Sequence, residues 1–397
     1  MGVNVVKLED VCEFYRGLTY SKKDESTFSD NIVLRASNID LDTSTLILDD
    51  LKYLKEDFVI PNDKKLQKDC IFICMSSGSK SHLGKVAYID RDYNYAFGGF
   101  MGLIKPKTNI LPRYLFYLLQ TPEYKELIKK LSNGININNI KFSDLKEFQF
   151  ELPSLEEQEK ALNILDKADE IRAKKKLAND KLDEFLKSTF ISMFGDPVKN
   201  DKEYQIKQLK DITDKITDGS HNPPKPQTEG EIMISSQNIT NEGLDLKNIR
   251  YITPDDFIRE NKRTALEDND ILLTIVGTVG RCTVYNSKSM PKVVLQRSVA
   301  VIKPKVDNVN SKYLKHLVLN NSFQFELQKK SKGVAQVGIY LNDLKMLNIL
   351  VPPIEDQNKF AQIVEKVEAQ KQKNELVIEQ MNNLFNSLSQ RAFKGEL

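Results

Sequence analysis

The chain has 397 residues, of which 40% are hydrophobic and 29% charged, so it is too long for one ordinary core and too apolar for wholesale disorder. Its 58 basic and 56 acidic residues leave a net charge of +2, which excludes a polybasic tail but not a local stripe that binds nucleic acid. No run of 18 or more apolar residues is present, which excludes a spanning helix. The opening Met-Gly-Val-Asn-Val-Val-Lys-Leu-Glu-Asp has neither the basic start nor the apolar run of a signal peptide, and Val6 stands where a myristoylation motif needs Ser or Thr.

Short β-like runs come first, over Cys70–Met75 and Val86–Ile89, with a helical pattern over Arg113–Leu131. Pro153 closes that region, and a proline-free stretch follows until Gly195 and Pro197. The same order then returns: β-like runs at Ile271–Val276 and Val293–Ile302, a helical pattern over Ser311–Lys329, Pro352, and a proline-free stretch to Gly395. Each region of about 150 residues predicts a compact α+β domain. Each proline-free stretch predicts a helix of about 40 residues, roughly 60 Å long.

That recurrence is a tandem repeat with a shift of about 199 residues. Lys7–Val11 matches Gln208–Ile212, Val33–Ile39 matches Met233–Ile239, and Ile104–Lys107 matches Ile302–Lys305. Ile140–Lys146 matches Ile339–Lys345, and Leu152–Gln158 matches Val351–Gln357. Matches this ordered predict one act performed twice.

The helical stretches carry a heptad pattern. In the second, Phe360, Ile363, Val367, Gln370, Asn374, Val377, Met381, Leu384 and Leu388 alternate spacings of three and four. In the first, the equivalent positions are Ala161, Ile164, Ala168, Ile171, Lys175, Ala178, Leu182, Phe185 and Thr189. Two such helices in one chain are expected to pair antiparallel, with Lys175 and Asn374 close together as a polar register device; the other reading packs each helix separately on its own domain. The run Arg172–Lys176 is a solvated face, or else a contact for phosphate or a partner.

Chemistry-bearing motifs fail one by one. Cys12, Cys70, Cys74 and Cys282 are scattered; Cys70 and Cys74 share a strand face, where a buried apolar pair is favoured over a metal or redox site. His82, His221 and His316 lie near no cysteine, so no zinc site is expected and the chain suits a reducing cytoplasm. Asn222-Pro223-Pro224 lacks the aromatic residue of an adenine methyltransferase motif, having Lys225 instead, and Phe97-Gly98-Gly99-Phe100 lacks the spacing of a cofactor loop. Gly78 to Val86 has one residue too many for a P-loop and no hydroxyl for magnesium, and Pro254-Asp255 with Glu260-Asn261-Lys262 is too short for a nuclease core. The scattered histidines support no Ser/His/Asp or Cys/His arrangement. Two units without chemistry predict binding.

The candidate binding residues cluster at equivalent places. The loop Ser76–His82 with Lys85 corresponds to Thr274–Arg281, where small residues let a backbone approach phosphate and polar side chains read base edges; an ordinary β-turn is the competing reading. The DNA-binding candidates are Arg35, Asn38, Ser77, Lys80, His82, Lys85 and Asn133 in the first half, and Gln237, Asn238, Thr278, Arg281, Gln296, Arg297 and Lys332 in the second. The first half has 29 basic against 31 acidic residues, net −2, and the second 29 against 25, net +4. Electrostatics alone would hold DNA poorly in the first.

Two variable α+β domains, each followed by a long helix that opens with Pro153-Ser-Leu-Glu156-Glu157-Gln158 or Pro352-Pro-Ile-Glu355-Asp356-Gln357, resemble the specificity subunit of type I restriction-modification enzymes. Asp270–Arg281 and Cys70–Lys85 also resemble that family's target recognition domains, the first copy departing by Cys70 in place of an acidic residue and by extra loop residues. The resemblance covers the whole chain. It implies an α+β fold class, with two pseudo-symmetric target recognition domains at 1–153 and 198–352. Two long antiparallel coiled-coil helices, at 154–197 and 353–397, would separate them. It further implies a non-catalytic subunit that reads a bipartite, asymmetric duplex, its helices acting as a ruler between half-sites. No cofactor belongs to this chain; S-adenosylmethionine, ATP and Mg would sit in two methyltransferase subunits and in motor-nuclease restriction subunits. The competing reading is a two-domain coiled-coil adaptor for proteins, without nucleic acid. A self-sufficient methyltransferase would require this chain alone to bind S-adenosylmethionine.

Overall fold

Backbone pairing repeats as the residues do. The computed structural model describes residues 4–41, 43–132, 139–331 and 337–392. The chain forms two units: Met1–Lys176 with Glu375–Leu397, and Leu177–Asn374. Each unit therefore takes half of each long helix.

In the first unit the strands Cys12–Arg16, Met101–Pro106, Ile71–Cys74 and Val86–Tyr88 lie side by side in that order, every neighbour antiparallel. In the second unit the order is Thr213–Asp218, Val299–Pro304, Ile271–Thr274 and Cys282–Val284, again antiparallel. Ile71 faces Ile104 as Ile271 faces Ile302. The central strand is buried at every residue, which explains why it reads as an unbroken apolar run. Its period of two sends Ile71 and Ile73 into one core and Cys70, Phe72 and Cys74 into another. The two thiols thus share a face as expected, and burial pushes each up to about 11. Burial likewise pushes Cys12 and Cys282 up to about 12.

A second sheet covers one side in each unit. Its order is Glu25–Ser26, Lys52–Leu54, Ile32–Leu34 and Ala96–Phe97 in the first, and Arg250–Ile252, Glu231–Ile234 and Val293–Leu295 in the second. The last pair is parallel in both, Leu34 facing Phe97 and Ile234 facing Leu295. The second unit adds a helix over Pro254–Thr264, started by Thr253, whose hydroxyl accepts from the Asp256 amide at 3.1 Å.

Three elements differ from expectation. Val293–Ile302 is two strands, broken by a turn at Gln296–Val299. Arg113–Leu131 is two helices, Pro112–Leu118 and Pro122–Ser132, because the Thr121 hydroxyl accepts from the Tyr124 amide while Pro122 has no N–H to extend the first. Ser311–Lys329 divides likewise into Ser311–Val318 and Asn321–Lys330, where the Asn320 side chain accepts from the Ser322 amide at 3.0 Å.

The long helices span Leu155–Phe194 and Ile354–Ala392. Ser154 and Glu157 form a capping box at the start of the first, the Glu157 amide donating to Ser154 Oγ at 3.3 Å and Ser154 N–H to the Glu157 carboxylate at 2.8 Å. Gly195 ends it at a φ of +75°, its amide donating to the Ile191 carbonyl at 2.8 Å. In the second unit the helices run antiparallel: Asn374 Nδ2 donates to Asn179 Oδ1 at 2.7 Å, Lys371 Nζ to Asp183 at 2.8 Å, and Phe194 meets Phe360 at 5.6 Å. In the first unit Arg172 Nη1 donates to Asn382 Oδ1 at 2.9 Å. Shifted by 199 residues, that is the Lys371–Asp183 pair.

Of the expected seam, Ala161, Ala168, Phe360, Val367 and Asn374 are buried, and Lys175, Leu182, Met381 and Leu388 are half-buried. The seam is corrected at the positions between them. Ile164 and Ile171 are each 40% exposed, Phe185 49% and Leu384 43%, and the inward positions are Leu165, Arg172, Leu186 and Phe385. Val364 and Lys371 likewise turn inward where Ile363 and Gln370 were expected, although Ile363 still packs at the core's edge and Val377 is half-buried beside Ile378. Asn374 is buried, and its Nδ2 donates to Asn179 Oδ1 within the second unit. Of the basic run, Arg172 faces inward, its guanidinium 4.8 Å from the Phe385 ring, while Lys174 stays outside and pairs with Glu170 at 2.5 Å.

His316, on the Ser311–Val318 helix, meets the Phe360 ring edge-on at 5.2 Å. Burial, with Lys315, Lys312 and Lys371 nearby, pushes its imidazole down to about 3. An unfolded chain takes that proton near pH 6.5 while the folded one refuses it. This group's contribution is therefore full above pH 6.5 and is lost at roughly 1.4 kcal/mol per pH unit as pH falls toward 3. His316→Gln is expected to shrink the stability lost between pH 7 and 5 by about 2 kcal/mol. Urea unfolding at both pH values checks it; equal losses in the two proteins would refute it.

Candidate nucleic-acid interface

Five segments distant in sequence converge at one end of the sheets in each unit, joined by equivalent backbone bonds. At the centre is a tight turn, Gly98–Met101 or Gln296–Val299, closed by Met101 N–H donating to the Gly98 carbonyl at 2.8 Å and Val299 N–H to that of Gln296 at 3.0 Å. Beside it lies the 3-10 turn Ala36–Asn38 or Ser236–Asn238, reached by Gly98 N–H to Leu34 O at 3.0 Å and Gln296 N–H to Ile234 O at 2.9 Å. On another side, Leu18 N–H donates to Phe97 O and Ser220 N–H to Leu295 O, each at 2.7 Å. Gly17 and Gly219 permit that approach, since a Cβ would stand 2.0 Å from the Gly98 carbonyl oxygen at the first and from that of Leu295 at the second. The loop leaving the central strand is tied in by Met75 N–H to Phe100 O and Ile275 N–H to Ser298 O, both 2.9 Å. The fifth segment joins through Ile140 N–H to Met75 O at 2.7 Å and Ile339 N–H to Ile275 O at 2.9 Å.

The scaffold repeats; the side chains on it do not. The central turn carries Gly98-Gly99-Phe100 in one unit and Gln296-Arg297-Ser298 in the other. Arg16 in the first strand is replaced by Asp218, which faces Ala300 as Arg16 faces Gly102.

In the second unit Gln237 and Gln296 line one open cleft of about 460 Å³ together with Ser235, Asn248 and Arg250. Arg250 is steadied by donating from Nη1 to the Pro224 carbonyl at 2.8 Å, and Gln237 donates to the Asn248 carbonyl at 3.3 Å. Arg297 is exposed, its backbone held by the Ser220 carbonyl at 2.9 Å. Nearby, the buried Asp218 carboxylate takes the Arg263 guanidinium and, at 2.9 Å, His221 Nε2, which leaves the imidazole half-exposed at the rim. In the first unit a smaller cavity, about 190 Å³, is lined by Arg16, Ser76, Phe100 and Asn139 among others.

Some candidates belong to the fold instead. Asn38 and Asn238 are buried: Asn38 Oδ1 accepts from the Arg35 amide at 2.8 Å while its Nδ2 donates to Ile47 O and Asp50 O. Asn238 does the same with Ser235, Asp245 and Asn248. Reading a base would cost those bonds, so both are withdrawn as base contacts. Arg35 is half-buried and pairs with Asp50 at 2.8 Å. The loop glycines serve packing: Gly84 lies over Ile128 and its carbonyl accepts from Tyr124 OH at 2.9 Å, while the Gly280 carbonyl accepts from Gln324 Nε2 at the same distance. Lys85 and Arg281 emerge half-buried beside them, Arg281 reaching the Ile239 carbonyl at 3.5 Å. Ser77, Lys80, His82 and Thr278 stand on the exposed or half-exposed loops. Asn133 and Lys332 lie outside the described residues.

The sequence reading passes over Arg16, Phe100, His221, Asn248, Arg250 and Arg263. Two of them carry a signal in the sequence: His221 directly precedes the Asn-Pro-Pro turn, and Phe100 ends the Phe-Gly-Gly-Phe segment. The others become visible only once the chain is folded.

Residues 1–181 and 201–380 each match the type I restriction modification DNA specificity domain. The type I restriction enzyme StySPI specificity subunit of Salmonella potsdam is 26% identical over 98% of this chain and 87% of its own. The EcoKI specificity subunit of Escherichia coli (strain K12) is 25% identical over 99% and 89%. Among solved structures, a chain of a type I R-M system aligns with a TM-score of 0.55 at 17% identity, covering 100% of this chain and 98% of that one. The type I restriction-modification S subunit from M. genitalium also aligns at 0.55, with 14% identity over 98% and 96%. These two likenesses show a shared fold.

Proposed function

Because the chain belongs to the family of type I restriction modification DNA specificity domains, we propose that it is the non-catalytic subunit that reads a bipartite, asymmetric duplex sequence in the cytoplasm, each unit reading one half-site. The observation that carries this reading is the repeated five-segment scaffold with unlike side chains. Equal backbones present two readers at equivalent places, and Gly-Gly-Phe against Gln-Arg-Ser makes the half-sites differ. In the second unit Gln237, Gln296 and Arg297 supply donors and acceptors suited to base edges, with Arg250, Arg263 and His221 for phosphate.

Two adenine methyltransferase subunits would dock on the long helices, and motor-nuclease subunits would join them. Ile164, Ile171 and Phe185 recur at intervals of seven or fourteen and are exposed. A helix face that repeats apolar residues outward after its inward seam is filled offers a partner helix a second seam.

The full chain, co-purified with its partner methyltransferase, is expected to select from random duplexes two unlike half-sites separated by a fixed gap, with affinity falling as salt rises. Gln296→Ala and Arg297→Ala should each weaken one half-site by about 1–3 kcal/mol and leave the other alone. Selection of no sequence at low salt would favour the protein-adaptor reading.

A further inference from the structure

The tight turn that presents Gln296 and Arg297 in the second unit has no hydrogen-bonding side chain in the first. Gly98 and Gly99 leave its backbone bare, and Phe100 is 73% exposed at its tip. Its position is fixed rather than loose: the Phe100 carbonyl accepts from both the Met75 amide at 2.9 Å and the Ser76 amide at 3.0 Å. The equivalent Ser298 folds back, its Oγ accepting from the Ser236 amide at 3.0 Å. An aromatic ring held outward at the place where the other unit offers amide and guanidinium groups costs solvation and contributes little to the core. Arg16, exposed on the neighbouring strand, lines the same cavity.

We propose that Phe100 is the specificity-determining residue of the first unit, and that its ring makes apolar contact with the C5-methyl of a thymine in the major groove. The inference rests on the DNA-reading function proposed above and assigns the chemistry of one half-site. Among base edges in the major groove the thymine methyl is the apolar group, so an apolar reader is matched to it. The two glycines remove the side chains that would hold the turn away from the bases, and Arg16 supplies the neighbouring phosphate contact. A unit whose half of the sequence is net acidic then gains its discrimination from shape and methyl contact rather than from charge.

The test uses the full chain with its methyltransferase partner and duplexes bearing the target selected by that complex. Gln296→Ala first identifies the half-site read by the second unit. In the other half-site, replacing one thymine by uracil is expected to weaken binding by wild type about tenfold and to leave Phe100→Ala unaffected. Phe100→Leu should keep most of the discrimination. A wild type indifferent to every thymine-to-uracil change in that half-site would overturn the proposal, as would a Phe100→Ala variant with unaltered preference there. If wild type selects no sequence at all, the DNA-reading function itself fails, which is a separate outcome. The exposed position of Phe100 leaves the fold of the variants intact, and thermal unfolding verifies that.

Discussion

Replacing Gln357 by leucine is expected to cost the second unit about 3–5 kcal/mol, and Gln158→Leu to cost the first about as much. Both glutamines are fully buried. Gln357 Oε1 accepts from the Asn310 amide at 2.9 Å, and its Nε2 donates to the Asn308 carbonyl at 3.3 Å and the Pro352 carbonyl at 2.8 Å. Gln158 repeats all three bonds, with the Leu111 amide at 2.8 Å, Asn109 O at 3.2 Å and Pro153 O at 2.9 Å. One side chain thus fastens the start of a long helix to the loop that enters a helix of the recognition domain. Leucine fills the space but leaves one donor and two acceptors without partners, at roughly 1–3 kcal/mol for each that stays dry. Glutamate should be worse, because its carboxylate would face two carbonyl oxygens. Hydrogen exchange resolves the units: amide protection should fall in the unit that carries the change. A loss below about 1 kcal/mol would show that water replaces the amide.

The same glutamine shows what a sequence discloses. The Pro-x-x-E-x-Q signature was legible as a repeated helix start, and so were the duplication, the central strands, the paired Cys70 and Cys74 and the helix stop at Gly195. All of these follow from local period or local backbone preference. The role of the glutamine was not legible, since two of its three partners lie 47 and 49 residues earlier. For the same reason Asn38 and Asn238 passed for base readers: a polar residue beside an exposed turn looks available until the fold supplies its three bonds. The interface is legible only in part, because its five segments meet through pairings of long sequence separation.

The seam failed at alternate positions for a different physical reason. Ile164-Leu165, Phe185-Leu186, Ile363-Val364 and Leu384-Phe385 are apolar doublets. Heptad spacings of three-then-four and four-then-three share every second position, so doublets satisfy both. The fold decides, since each half of a helix buries one flank on the recognition domain of the unit it belongs to as well as on the other helix. Tyr117 meets Phe385 at 5.3 Å, and its hydroxyl donates to Asp166 at 2.6 Å. The buried stripe therefore rotates toward the domain, leaving Ile164, Phe185 and Leu384 exposed and Ile363 at the core's edge.

Phe194→Ala should rank with the glutamine substitutions, at about 3–5 kcal/mol. The ring is fully buried at the last turn of the first long helix. It lies 4.8 Å from Tyr313, 5.2 Å from Phe190 and 5.6 Å from Phe360, two of these edge-on. Aromatic pairs of this kind contribute about 0.5–1.5 kcal/mol each beyond the area they bury. Phe194 and Phe190 come from the end of one long helix, Phe360 from the start of the other, and Tyr313 from the recognition domain, so a single cavity loosens all three elements at once. In the first unit Ala161 stands where Phe360 does, so that ring has no counterpart there. The damage should therefore be lopsided. Urea unfolding of Phe194→Ala should show an early transition, with exchange rising across 177–374 before the rest. In duplex selection with the methyltransferase partner, the half-site sensitive to Gln296→Ala should lose definition while the one sensitive to Phe100→Ala keeps it. A uniform drop in both would mean that the two units unfold as one.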